Sequence, residues 1–213
     1  MEAANYAPSG ANGQPWEFIV ITKKETKDKL ADIYVEHGRK EGCDFESTRE
    51  EPYQHNMFKK YYPNPPGWQV APVIIAVIGD MRTYLATVAA AYYLNGDGGV
   101  AATYYMNVAN ATHLLCMAAS ALGLGASLVS IESGFELKIK RLLDVPDELT
   151  IHELVPIGYP SAQPTARYRR ELKELVHNEE YEHSKYRTNQ DILAFVRKLR
   201  SKTKPAYMDY WVK

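Results

Sequence analysis

The densest set of polar groups able to meet a ligand lies near the start of the chain. Pro8-Ser9-Gly10-Ala11-Asn12-Gly13-Gln14-Pro15 stands directly before Trp16 to Thr22, which reads as a strand from its β-branched and aromatic residues. Gly10 and Gly13 would let the backbone approach a bound molecule closely. Ser9, Asn12 and Gln14 bring donors and acceptors to the same place. Such a set suits a planar heterocycle with an alternating polar edge. It equally suits a plain polar loop entering a strand, and composition alone leaves both readings open.

Other candidates carry less. Gly96-Asp97-Gly98-Gly99 is glycine-rich like a phosphate loop but lacks the Gly-Lys-Ser/Thr ending, so it reads as a helix entry. His37, His55, His113, His152, His177 and His183 show no pairing at metal-ligand spacing, and no Cys-x-x-Cys exists, so no metal is expected. Cys116 falls in an Ala-rich helical stretch and is expected to be buried and inert. Cys43 falls in a long irregular stretch with nothing beside it to activate its thiol.

Composition narrows the classes further. Lys and Arg number 25 against 26 Asp and Glu, a net charge of -1, so no global positive field exists to hold nucleic acid or anionic lipid. With 46% hydrophobic and 24% charged residues in 213, the chain reads as one globular domain and not as a disordered or rod-like one. Two cysteines make no disulfide framework, which points to a reducing cytoplasm. Met1 to Asn5 lacks the basic and apolar regions of a signal peptide, and the apolar stretches are too short or too polar to span a bilayer. Tyrosine, at 16 residues, suits interfaces and ring-stacking pockets, where one side is apolar and the other wet.

Elements must position these residues. Glu2 to Tyr6 reads as the last turn of a helix. Lys23 to about Glu41 reads as an amphipathic helix with Leu30, Ile33 and Tyr34 in its apolar stripe. Periodicity then fails over residues 43–69, a length typical of lids and binding loops. Pro72 to Gly79 is a continuous apolar run, expected of a strand covered on both faces. Met81 to Leu94 has helical composition, and Gly99 to Leu122 is the strongest helix, with Gly123 placed to end it. Strands are expected at Ala126 to Ile131 and Glu153 to Tyr159, with helices at Glu136 to Leu143 and Asp191 to Leu199 and a helical turn within Arg167 to His177. The whole predicts an α+β fold, a central mixed sheet of four to five strands flanked by helices.

Four segments in register resemble the nitroreductase family, whose members bind FMN. They are APSGANGQPWEFIVIT; Asp97-Gly98-Gly99-Val100-Ala101-Ala102 leading to Leu122-Gly123-Leu124-Gly125; Ser130-Ile131-Glu132-Ser133-Gly134-Phe135; and Pro156-Ile157-Gly158-Tyr159-Pro160, followed by Arg169-Arg170-Glu171-Leu172. The resemblance implies a homodimer with two FMN sites at the subunit interface. It implies Pro8, Ser9, Gly10 and Asn12 on the flavin, with Gln14 supporting their loop. Ser130, Ile131 and Glu132 would come from the other chain of the dimer, the last two with backbone near flavin N5. Arg169, with Arg170 as the alternative, would meet the phosphate, in keeping with the preference of guanidinium for phosphate. Family members carry an earlier Arg-Arg-Ser-x-Arg-like segment on the phosphate, and this sequence opens after that point.

The activity implied is NAD(P)H oxidation with ping-pong hydride transfer through FMN to a nitroaromatic, quinone or similar acceptor. The lid, residues 43–69, would select that acceptor with Glu51, Tyr53, Phe58, Lys60, Tyr61 and Trp68. The spellings Pro-Ser-Gly-Ala and Pro-Ile-Gly-Tyr-Pro-Ser are also similar to halotyrosine-reducing members, giving a flavin-dependent reductive dehalogenase as the alternative. A flavin-binding dimer without turnover is the alternative from outside enzymology. Residues 178–213, with Tyr207, Tyr210 and Trp211, are expected to dock on the partner subunit.

Overall fold

The computed structural model describes residues 1–47, 66–89, 99–131, 133–161 and 168–202. Its centre is the most apolar segment of the sequence. Val73–Gly79 (β2) runs between Trp16–Ile21 (β1) and Thr150–Gly158 (β5) and pairs antiparallel with both. Two short strands, Gly125–Ala126 (β3) and Val129–Ser130 (β4), pair antiparallel with β5. The expected sheet flanked by helices is therefore present, and every pairing among the described residues is antiparallel rather than mixed. The single strand expected over Ala126 to Ile131 is divided in two, with Ser127 bonding back to Pro156 in the gap.

Because side chains alternate along a strand, β2 feeds two cores. Ile74, Ala76 and Ile78 pack on one face with Leu30 of the helix Lys24–Ser47 (α2) and Phe135 and Ile139 of the helix Ser133–Leu143 (α5). Ile75 and Val77 pack on the other face with Tyr104, Val108 and Leu115 of the helix Gly99–Ala121 (α4), and with Ala4 of the short helix Glu2–Asn5 (α1). Gly123, at φ 76°, ends α4 in the left-handed conformation that glycine adopts without strain. The helix expected from Met81 is one turn, Met81–Tyr84 (α3), continued by a wide turn over Leu85–Ala89.

The helix α2 reaches Ser47, so the first residues of the expected lid are helical, and Gly67–Val70 forms a turn at its other end. Residues 48–65, which include Glu51, Tyr53, Phe58, Lys60 and Tyr61, lie outside the described residues, as does Glu132. Lys27 ties α2 to the approach of β2, its Nζ donating to the carbonyl of Ala71 at 2.7 Å.

The chain divides into two compact units, Met1–Ser161 and Ala162–Lys213, where the sequence reads as a single domain with an extension from residue 178. In the second unit no described residue is in a strand. It is built from turns at Leu172–Glu174 and His183–Lys185 and the helix Asn189–Lys202 (α6). There Phe195 stands beside Tyr168, and the Arg187 guanidinium lies 4.6 Å from the Phe195 ring centre.

Candidate functional site

The loop before β1 is pinned at both ends. Ala7 and Trp16 are buried together against Ala111 of α4, the carbonyl of Pro15 accepts from the backbone N–H of Asp80 at 2.9 Å, and Asn110 Nδ2 donates to the carbonyl of Pro8. Inside the loop, Ser9 Oγ accepts from the backbone N–H of Gln14 at 3.1 Å, and Gln14 Nε2 donates to the carbonyl of Asn12 at 3.1 Å. Gln14 thus bonds within the loop through both its backbone and its side chain. Ser9, with its oxygen engaged inside, keeps its hydroxyl proton for an outside acceptor.

Strain falls on other residues than the glycines. Ala11, Asn12 and Gln14 have φ of 48°, 54° and 47°. Each such residue costs about 1–3 kcal/mol, and clusters of them mark ligand clamps and active sites. Gly13 has an ordinary φ of -68°. Its missing side chain is required instead by packing, since a Cβ there would come within 2.6 Å of Thr87 Oγ1.

A second feature joins two of the expected residues. Trp68 and Ser130 line one cavity of about 340 Å³, within the usual range of small-molecule sites. Its aromatic wall is a chain of rings: Trp68 meets Tyr34 edge-on at 5.5 Å, Tyr34 meets Phe135 at 6.2 Å, and His37 lies 4.6 Å from Phe135. The facing wall is the segment from Ser127 to Ser130. Ile131 packs its side chain on the first core, which fixes the loop at that point. Trp68 Nε1 is buried with no hydrogen-bond partner among the described residues, a costly arrangement for an N–H donor.

Tyr34, His37 and Phe135 were not among the expected site residues. The available signal was the spacing of Tyr34 and His37, three apart on one helix and therefore on one face. Their partner Phe135 lies about a hundred residues further on.

In the second unit, Arg170 is committed. Its Nε and Nη2 donate to the side-chain and backbone oxygens of Glu174 at 3.2 and 3.0 Å. Arg169 is exposed and, among the described residues, donates to the neighbouring Tyr168 carbonyl at 3.1 Å.

The titrations displaced mainly by burial lie on the α4 face of the sheet. The register shift between Val77 and Ile78 leaves His152 as an extra residue in β5. Its Nε2 is 2.8 Å from the Tyr104 hydroxyl. Burial holds the His152 imidazole below its ordinary range and pushes the Tyr104 phenol up. Burial likewise raises the Glu153 carboxyl and the Cys116 thiol. No group of three or more potential metal ligands occurs among the described residues.

An antiparallel sheet clasped by helices, with a strained polar loop and a ring-lined cavity, makes this an α+β protein. The model of the nitroreductase family matches residues 1–159, and the chain belongs to that family. It is 27% identical over 175 residues to iodotyrosine deiodinase 1 of Mus musculus, covering 78% of this chain and 54% of that one. It is 25% identical over 170 residues to iodotyrosine deiodinase of Thermotoga neapolitana, covering 80% and 78%. The chain therefore spans about half the length of the mouse relative. Its fold matches oxidized iodotyrosine deiodinase bound to FMN and 3-iodo-L-tyrosine with a TM-score of 0.58, at 20% identity and covering 85% and 84% of the two chains. Among the described residues no helix is long and apolar enough to cross a membrane.

Proposed function

We propose that this chain is an FMN-dependent oxidoreductase that passes electrons from NAD(P)H to a small aromatic or conjugated acceptor. The observation that carries the reading is the loop Ser9–Gln14, whose three left-handed non-glycine residues are held by bonds within the loop itself. The donor set fits the pyrimidine edge of a flavin: a free hydroxyl proton on Ser9 and an exposed carboxamide on Asn12. When bound, FMN would supply hydride transfer to and from its N5.

The protein's part is to bind and orient. Pro8, Ser9, Gly10 and Asn12 would hold one edge of the ring, and Ser130, Ile131 and Glu132 the N5 side. Of the two arginines, Arg169 is the better phosphate partner, because Glu174 already occupies Arg170. The site would be completed in a homodimer. Tyr105, Met106 and Met117 lie exposed on α4, an apolar strip of the kind that subunit interfaces cover.

A second reading is reductive dehalogenation of a halotyrosine, favoured by the two deiodinase relatives and by the aromatic wall of the cavity. Anaerobic titration tests both. Bleaching of the bound flavin by NAD(P)H, then recovery on adding a quinone or nitroaromatic, is the outcome expected. Iodide release from 3-iodo-L-tyrosine after dithionite reduction, without NAD(P)H bleaching, would favour the second reading. Bound flavin that neither donor reduces would make the chain a flavin-binding dimer without turnover.

A further inference from the structure

Beneath α4 lies a buried pair that the proposed reaction does not use. The Tyr104 hydroxyl and His152 Nε2 stand 2.8 Å apart, a hydrogen-bond distance. Gly79 at the end of β2 leaves room for this bond, since a Cβ there would collide with both the Tyr104 hydroxyl and His152 Nε2. The extra residue in β5 brings the imidazole to it. Burial holds that imidazole below its ordinary range, so at neutral pH it is uncharged and can take one more proton. Burial also keeps the phenol protonated. The pair is a phenol donor set on a neutral base. The described acids that act on it bond elsewhere: Glu136 of α5 accepts from the backbone N–H of Ile151, and Asp80 pairs with Arg82.

Rings lead away from the pair. Tyr84, itself buried, lies 6.2 Å from Tyr104 between ring centres, and Tyr105 lies 5.3 Å from Tyr104 and 5.6 Å from His152. Rings at such spacings are in contact. Tyr104 is 1% exposed and Tyr105 is 55% exposed, so touching rings join the buried phenol to the outer side of α4. An electron crosses such a path where no ligand could enter. A second chain over α4 would lengthen the path without breaking it.

We infer that Tyr104 is a redox-active residue, yielding one electron by way of Tyr105 to a one-electron oxidant outside α4 and its phenolic proton to His152 Nε2. The O–H bond of Tyr104 breaks and an N–H bond forms on His152. Tyr104 becomes a neutral phenoxyl radical, His152 an imidazolium, and the oxidant is reduced by one electron. A one-electron reductant returns the electron, and the proton goes back to the phenol. No flavin takes part, so the inference stands apart from the flavin reading.

The test is flash oxidation of the full chain by tris(bipyridyl)ruthenium, with a cobalt(III) ammine as sacrificial acceptor, read by tyrosyl absorbance and electron paramagnetic resonance. The sequence has 16 tyrosines, so first radicals form at many of them. A radical collected at Tyr104, buried and with a base at its hydroxyl, should outlive those at the surface. The parent should therefore show a persistent neutral tyrosyl signal that forms more slowly in deuterium oxide. Tyr104→Phe should lose that signal. His152→Gln keeps a hydrogen-bond acceptor but no proton acceptor, and should lose it too. Tyr105→Phe should delay the signal without changing its spectrum, and an undelayed signal would overturn the route through Tyr105. Circular dichroism checks the fold, and if Tyr104→Phe misfolds, His152→Gln decides. No persistent signal in the parent, or an equal one in folded Tyr104→Phe or His152→Gln, overturns the inference.

Discussion

The two faces of the central sheet are built to different ends. On the α2 and α5 face, Ile74, Ala76 and Ile78 pack with hydrocarbon and aromatic side chains such as Leu30, Phe135 and Ile139. On the α4 face, Ile75 and Val77 share the sheet with titratable groups, because the extra residue in β5 brings His152 to Tyr104. The outer side of α4 then leaves Tyr105, Met106 and Met117 exposed. The first face completes itself within one chain. The second would be half of a contact in the proposed homodimer.

The largest expected effect breaks the self-contained face. Ile139 is fully buried there, and Ile139→Ala should cost about 2–5 kcal/mol in urea unfolding through lost burial and a cavity. Met117→Glu, on the outer side of α4, should leave the unfolding of each chain nearly unchanged but shift sedimentation from dimer toward monomer. If Met117→Glu unfolded the chain as Ile139→Ala does, the contrast between the faces would be lost.

A middling effect should come from His152. Its folded pKa lies below the ordinary imidazole value of 6.5, so the folded state binds fewer protons than the unfolded one. The corresponding stability is fully present above that value and is lost as pH falls through it. The drop in melting temperature between pH 7.5 and pH 5.5 should shrink in His152→Gln, to about the drop from the other groups alone. An equal drop in parent and variant would show that His152 is not desolvated.

Glu153 runs the other way and should give the smallest effect, since its carboxyl is half exposed. Its folded pKa lies above 4.5, so its contribution is full below that value and lost as pH rises through the folded pKa. Glu153→Gln should therefore stabilise the protein slightly at neutral pH and make no difference in acid. Destabilisation at neutral pH would mean that the carboxylate has a partner in the assembled protein.

These contrasts also show what the sequence could reveal. The doubly covered β2 was legible because every residue in its run is apolar, and the end of α4 because Gly123 is a strong stop. The polar loop was legible as a candidate site because its polar groups are neighbours in sequence. Its mechanics were not: the strain sits on Ala11, Asn12 and Gln14, and Gly13 serves a contact with Thr87 that only folding creates. The cavity was half legible. Trp68 and Ser130 were expected near a ligand, but Tyr34 and His37 looked like an ordinary helix stripe until Phe135 and Gly134 came against them. The Tyr104–His152 pair spans 48 residues and depends on an irregularity in strand register, which no local pattern announces.

The central claim is that the strained loop holds a flavin, and calorimetry with FMN and with riboflavin tests it most directly. FMN should bind at close to one flavin per chain, and Arg169→Ala should weaken FMN by about one to two orders of magnitude while weakening riboflavin far less. No heat and no binding at high micromolar FMN would contradict the account.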